Sequence, residues 1–296
     1  MRQKRAASFL VAAILLLSLL STLYGILGRK GEGPGLYESV RGEAVLLYGE
    51  GPYRHMSEEV AIQGIAQDYV TLFIAIPLLA VSFFFSKRGS LRARYLLAGS
   101  LAYFLVTYLF YLVMGMYNEL FLVYAALTGA SFFALALTLD SFDSSGLKGA
   151  FRPGVLEKPA GLFLIFNACV IALLWLSVVL PPLLDGTLYP RALEHYTTLP
   201  VQGLDLGLLL PLSFFSGFLL IRKDAGGYLL APVYLIFLSI LMTALFSKIV
   251  AMEMKGYQAG PALVVIPLFM LASWGLSVGL LASVREKSSG AGGDSL

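Results

Sequence analysis

Long apolar runs, separated by short polar breaks, dominate the chain. Within a few residues they cover 6–27, 69–86, 95–114, 120–139, 160–181, 205–221, 227–247 and 261–283. A hydrocarbon core of about 30 Å takes roughly 20 helical residues to cross. The runs are continuously apolar and do not alternate, so they predict helices, not barrel strands. The expected architecture is an all-α polytopic transmembrane bundle of about eight helices. A single transmembrane domain fills 1–287, with an outer loop at 28–67 and a Ser/Gly-rich tail at 288–296 that reads as disordered.

Composition agrees with this pattern. Apolar residues make up 58% of the chain and charged residues 13%, against roughly 45–50% and about 25% in soluble domains. Mean hydropathy is +0.81. A soluble globular enzyme, a disordered chain and a disulfide-stapled domain are excluded. The net charge of +3 calls for no nucleic-acid partner, and the lipid bilayer is the partner implied. Counting loops from a cytoplasmic N-terminus puts fourteen of the 21 basic residues, from Arg2 to Lys287, on that side. This positive-inside pattern predicts a cell-membrane protein with both termini cytoplasmic. The basic segment Arg2-Gln3-Lys4-Arg5 before the first run reads as the flank of an uncleaved signal anchor.

The chain also reads as two related halves, about 1–145 and 155–287. Runs 2 and 6 each open near an acid, Asp68 and Asp205, carry a proline, Pro77 and Pro211, and end in a basic turn, Lys87-Arg88 and Arg222-Lys223. The next runs begin Tyr95-Leu96-Leu97-Ala98 and Tyr228-Leu229-Leu230-Ala231. Gln63-Gly64 and Gln202-Gly203 precede the acids. Each half would start in the cytoplasm, so a 4+4 repeat would be parallel, with a pseudo-twofold axis along the membrane normal. Small residues at four-residue spacing, Ala126, Ala130, Ala134 and Thr138 in run 4 and Gly275, Gly279 and Ser283 in run 8, predict that these two helices supply the inner packing surface.

Ionisable groups at membrane depth are costly and therefore candidates for function. Asp68 and Asp205 read as first-turn residues at the outer ends of their helices, where an acid also satisfies free N–H groups and the helix dipole. Lys248 and Glu253 flank the outer end of run 7, and no ionisable group is expected at mid-span. The candidate ligand-binding set is Asp68, Asp205, Gln67, Gln202 and Asn118. No catalytic residue and no cofactor is assigned. His55 and His195 lie in the long outer loops and are the weak candidates for a metal site; no local histidine pair strengthens them. Tyr103, Thr107 and Tyr111 share a helix face, which suits either an aromatic groove or ordinary packing. Pro77, Pro211, Pro232 and Pro267 lie inside apolar runs and can kink them.

Three stretches carry a resemblance. They are Gln67-Asp68-Tyr69-Val70-Thr71-Leu72, Tyr117-Asn118-Glu119-Leu120-Phe121-Leu122-Val123-Tyr124, and Leu204-Asp205-Leu206-Gly207 with Pro211 after it. They resemble a group of prokaryotic multi-pass membrane proteins with QDxVTL, YNxLFLxY and LDLGxxxP patterns, to which no activity is attached. The resemblance spans helices 2 to 7 and implies that Asp68, Asn118 and Asp205 are family features. Glu119 stands where an uncharged residue is more usual, so the resemblance gives it no shared role.

Three functional readings follow. A small-solute or ion transporter predicts a polar cavity reaching past Asp68 and Asp205. A scaffold, sensor or complex subunit predicts a solid core with outward polar loops and a protein partner. A lipid-modifying membrane enzyme predicts converging titratable groups beside a lipid-accessible groove, and the scarcity of such groups leans the reading away from an enzyme.

Overall fold

A computed structural model describes residues 2–143, 146–152, 154, 156–258 and 260–286. The tail expected to be disordered lies outside these residues. Among them, eight helices are long and apolar enough to cross a membrane. They are α1 (Arg2–Leu27), α2 (Glu58–Lys87), α3 (Leu91–Val113), α4 (Phe121–Asp140), α5 (Glu157–Asp185), α6 (Pro200–Ile221), α7 (Ala225–Met254) and α8 (Ala262–Ser283). The chain is a multi-pass membrane protein with an all-α core.

Two helix boundaries differ from expectation, and both matter. Helix α2 begins at Glu58, so the outer loop ends near residue 57. Asp68 therefore lies ten residues inside the helix, about 15 Å along it, and is not a first-turn residue. Helix α7 runs on to Met254, which places Lys248 within the helix and not at its flank. Both extra segments carry polar residues that hydropathy alone reads as loop. The α2 segment is interior, with Ala61, Ile62, Gly64, Ala66 and Gln67 buried, and the α7 segment is partly buried up to Glu253.

The expected inner helices are also corrected. In the apolar stretch of α7 67% of residues are buried, and in that of α3 56%, against 28% in α4 and 17% in α8. Helices α3 and α7 form the centre and pack on each other. Gly99 allows this approach: a Cβ there would collide with Ile236 and the Val233 carbonyl. Ala126 and Gly275 of the proposed stripes are exposed, whereas Ala134 and Thr138 of the α4 stripe are buried. The buried face of α8 is instead Ser273, Ser277 and Leu280, and Ser277 hydrogen-bonds Ser239 of α7 at 3.0 Å. Without hydrophobic contrast in lipid, such close packing and interhelical hydrogen bonds hold a bundle together. Helix α1 packs on α2 and α4, α2 on α3 and α7, α6 on α5 and α7, and α8 on α7.

Helices α2 and α6 share a local device. Ile76 N–H donates to the Thr71 carbonyl and Leu210 N–H to the Asp205 carbonyl, each five residues back, making π-turns at Thr71–Ala75 and Asp205–Leu209. Pro77 and Pro211 follow at the same offset. Proline lacks the N–H needed to continue an α-ladder and crowds the preceding turn; the wider π-turn accommodates it.

Opposite the termini, the loops build a cap. Strands β1 (Gly35–Glu38) and β2 (Ala44–Leu47) pair antiparallel, with Gly35 opposite Leu47. Arg41, in their turn, donates from Nη2 to the carbonyls of Glu194 and Tyr196, both at 2.6 Å. Ser57 N–H donates to the Tyr196 hydroxyl at 3.2 Å. The long loop of each half is thereby fastened to the other. Near the termini, the bundle is closed by an aromatic cluster. Tyr95 lies 4.7 Å from Phe142 and 5.8 Å from Phe151, Phe151 lies 5.1 Å from Tyr228, and the Tyr95 hydroxyl donates to the Tyr228 carbonyl at 2.9 Å.

Candidate functional site

Between the cap and that cluster lies a cavity of about 360 Å³, within the usual range for ligand pockets. It is walled by α2, α3, α5, α6, α7 and α8, with Tyr53 and Met56 of the cap over it. Most of its lining is apolar. Its charged groups are Asp205 on α6 and Lys248 on α7, and Asn167 and Trp175 of α5 also line it.

Asp205 is partly enclosed. Trp175 Nε1 donates to its Oδ2 at 2.7 Å. Lys248 reaches the cavity from the added end of α7, where Ser247 hydrogen-bonds the Ala66 carbonyl of α2 at 3.3 Å. Its ammonium interacts electrostatically with both Asp205 and Asp68, but it belongs to no ion pair among the described residues. Asn167 is 1% exposed, and its Oδ1 has no hydrogen-bond partner. A buried, unpaired amide oxygen costs roughly 1–3 kcal/mol. It stands near the middle of α5, within an otherwise apolar run: a polar but not ionisable group at mid-span.

Asp68 is sealed behind the cavity wall and is 1% exposed. The Tyr53 hydroxyl donates to Oδ2 at 2.5 Å and the Tyr111 hydroxyl to Oδ1 at 3.1 Å. Burial pushes the Tyr53 phenol well above its ordinary range, so it remains a donor. Helix α1 makes room through Gly25, where any Cβ would strike the Asp68 carboxyl.

The other predicted residues divide as follows. Gln67 is buried, with its amide donating to Thr107 at 2.9 Å and Tyr103 at 3.4 Å; it lines the cavity but ties α2 to α3. Asn118 also lines it, and is occupied with local structure: its amide donates to the Pro52 and Met116 carbonyls, and its oxygen accepts from Leu120 N–H at 2.8 Å. Gln202 is half-buried and outside the cavity lining, whereas Gln63 is part of it. His55 and His195 meet in the cap, where His195 Nε2 lies 2.9 Å from the His55 carbonyl. The described residues hold no group of three or more His, Cys, Asp or Glu able to ligate a metal.

Aligning α2 and α6 on their prolines and π-turns sets Asp205 opposite Thr71, and Asp68 opposite Gln202. The two acids are three residues out of register, so they are not positional counterparts. Sequence reading set Lys248 at the flank of run 7 and missed Asn167; both line the cavity. The available signal for Asn167 was a lone amide deep inside an apolar run.

Comparisons with family models, curated proteins and solved structures return no match.

Proposed function

We propose that the chain is a carrier of a small solute, with the cavity between its two halves as the binding site. The observation that carries this reading is a cavity at membrane depth. It holds Asp205, Lys248 and the unpartnered Asn167, capped by loops on one side and closed by the Tyr95–Phe142–Phe151–Tyr228 cluster on the other. A scaffold with a solid core has no use for such a space. Interrupted helices beside a central site are a recurrent feature of secondary transporters, and the π-turns of α2 and α6 fit that role.

The proposal includes a parallel 4+4 repeat, supported by the matched π-turn and proline offsets and the paired Tyr-Leu-Leu-Ala starts of α3 and α7. It includes kinship with the prokaryotic multi-pass group named above. It also includes residence in the cell membrane with both termini cytoplasmic, supported by the distribution of Lys and Arg, so that the cavity faces outward beneath its cap.

Alternating access is the test. Cys169, exposed and the chain's single cysteine, is replaced by serine. Ile171→Cys or Leu241→Cys then places one thiol in the cavity wall. In vesicles of known sidedness, a membrane-impermeant thiol reagent labels a carrier's cavity from both sides. Labelling from one side only, or from neither, overturns the carrier reading.

A further inference from the structure

The cavity wall presents one carboxylate and one ammonium, from neighbouring helices, that are not ion-paired with each other. Asp205 has one oxygen held by Trp175, and its other oxygen has no hydrogen bond among the described residues. Lys248 likewise donates no hydrogen bond among them. In the same cavity, deeper along α5, Asn167 Oδ1, 1% exposed, is an acceptor without a donor. The remaining wall is apolar and aromatic, with Leu174, Leu238, Leu241, Ile266, Phe110 and Tyr234 among its members. Asp68 does not enter this count, because it does not line the cavity and its oxygens accept from the Tyr53 and Tyr111 hydroxyls.

Each class of ligand meets these groups differently. A simple organic cation would pair with Asp205 and leave its charge facing Lys248 in a medium of low dielectric. A simple anion would leave Asp205 and Asn167 unsatisfied. An uncharged apolar molecule would bury both charges unpaired, at a cost of several kcal/mol. A molecule carrying one anionic and one ammonium group satisfies all three side chains and adds no net charge. We propose that the cavity binds a small zwitterion with an apolar or aromatic side chain, of the α-amino-acid type. Its anionic group lies on Lys248, its ammonium on Asp205 and Asn167, and its side chain in the apolar wall. This deepens the carrier reading and rests on it.

The test uses the full chain in nanodiscs. The protein has two tryptophans, so Trp274→Phe leaves Trp175, in the cavity wall, as the sole indole reporter. Phenylalanine, phenethylamine and 3-phenylpropionate share one apolar body and differ only in the head group. Phenylalanine is expected to change Trp175 fluorescence saturably and to bind at least about tenfold more tightly than either analogue, the scale of one charge-assisted hydrogen bond. Leucine and methionine, which carry no indole, probe the side-chain space. Lys248→Met should remove the preference for phenylalanine over phenethylamine. Asn167→Leu should weaken phenylalanine about tenfold while the head-group order stays. Thermal unfolding measured in parallel identifies a variant that fails to fold; the comparison of analogues on the unsubstituted cavity decides the matter without it. If phenethylamine or 3-phenylpropionate binds as tightly as phenylalanine, the zwitterion inference falls. It falls equally if none of the three amino acids binds at millimolar concentration. Neither result touches the thiol-accessibility test, whose failure would remove the carrier reading by itself.

Discussion

The two halves of the molecule treat an aspartate on a proline-bearing, π-turned helix in opposite ways. In the first half Asp68 is enclosed by two tyrosine hydroxyls and fitted against Gly25. In the second half Asp205 has one indole donor and faces open space. The asymmetry follows from packing. Helix α7 packs on the Glu58–Val70 part of α2, whereas α3 barely touches the start of α6. The gap left beside α6 is the cavity. The same local device thus yields a sealed carboxyl that organises structure and an open one available for binding.

The sharpest way to break this contrast is to remove Asp68. Asp68→Ala strands the buried Tyr53 hydroxyl, at about 1–3 kcal/mol, leaves Tyr111 only its 2.9 Å bond to the Gly64 carbonyl, and adds a void. The expected loss is several kcal/mol, read from thermal unfolding in nanodiscs. Replacing the stranded donor as well, in Asp68→Ala with Tyr53→Phe, should recover part of it, because removing both partners of a buried hydrogen bond is nearly neutral. If the double variant is no better than the single one, the carboxyl is not held for the Tyr53 hydroxyl. Gly25→Ala should cost about 1–3 kcal/mol through overpacking alone.

Next in size is the clasp that joins the halves. Arg41→Met removes two hydrogen bonds from a charged donor to the Glu194 and Tyr196 carbonyls, each worth about 1.5–3 kcal/mol at most. The loss should be local. Amide exchange of Gly35–Leu47 and 190–197 should accelerate, while α3 and α7 remain protected. Equal acceleration throughout would mean that the cap is part of the global folding unit.

The counterpart to Asp68→Ala is Asp205→Asn. The amide still accepts from Trp175, and the group is already open to the cavity, so a change below about 1 kcal/mol is expected. The same substitution should strongly weaken zwitterion binding. A stability loss matching that of Asp68→Ala would erase the distinction between the sealed and the open acid.

Much of this was legible in the sequence. The eight spans were, because unbroken apolar runs of helical length have no other use in a membrane. That Asp68 and Asp205 need partners was legible too, since an acid beside an apolar run demands them, and tyrosine and tryptophan donors supply them. Other features were not. The first turns of α2, Glu58 to Gln67, are polar enough to read as loop, and only the cap built from distant loops makes them interior. Lys248 was read as flanking for the same reason. The central place of α3 and α7 was hidden because every run is apolar all round, which leaves no moment to distinguish a lipid-facing side from a buried one. The small-residue stripes pointed to α4 and α8, whereas the decisive close approach uses the single Gly99. The contrast between the acids lies in tertiary packing, which equal motifs in two halves cannot reveal.

The smallest effect is expected at the surface of the first half, where Arg54 Nη1 pairs with Glu119 Oε1 at 2.6 Å. The guanidinium holds the Glu119 carboxyl below its usual range. A carboxyl whose folded value is depressed contributes stability above its unfolded value, near 4.5, and loses that contribution as pH falls through the lower folded value. The pair is solvent-exposed, so Glu119→Gln should cost only about 0–1 kcal/mol near neutral pH, less in high salt and nothing in acid. Thermal unfolding of Glu119→Gln and the parent chain, measured from neutral pH downward, should therefore converge. A gap that persists in acid would assign Glu119 a role other than its charge, and would move the boundary between sealed and open carboxyls out into the cap.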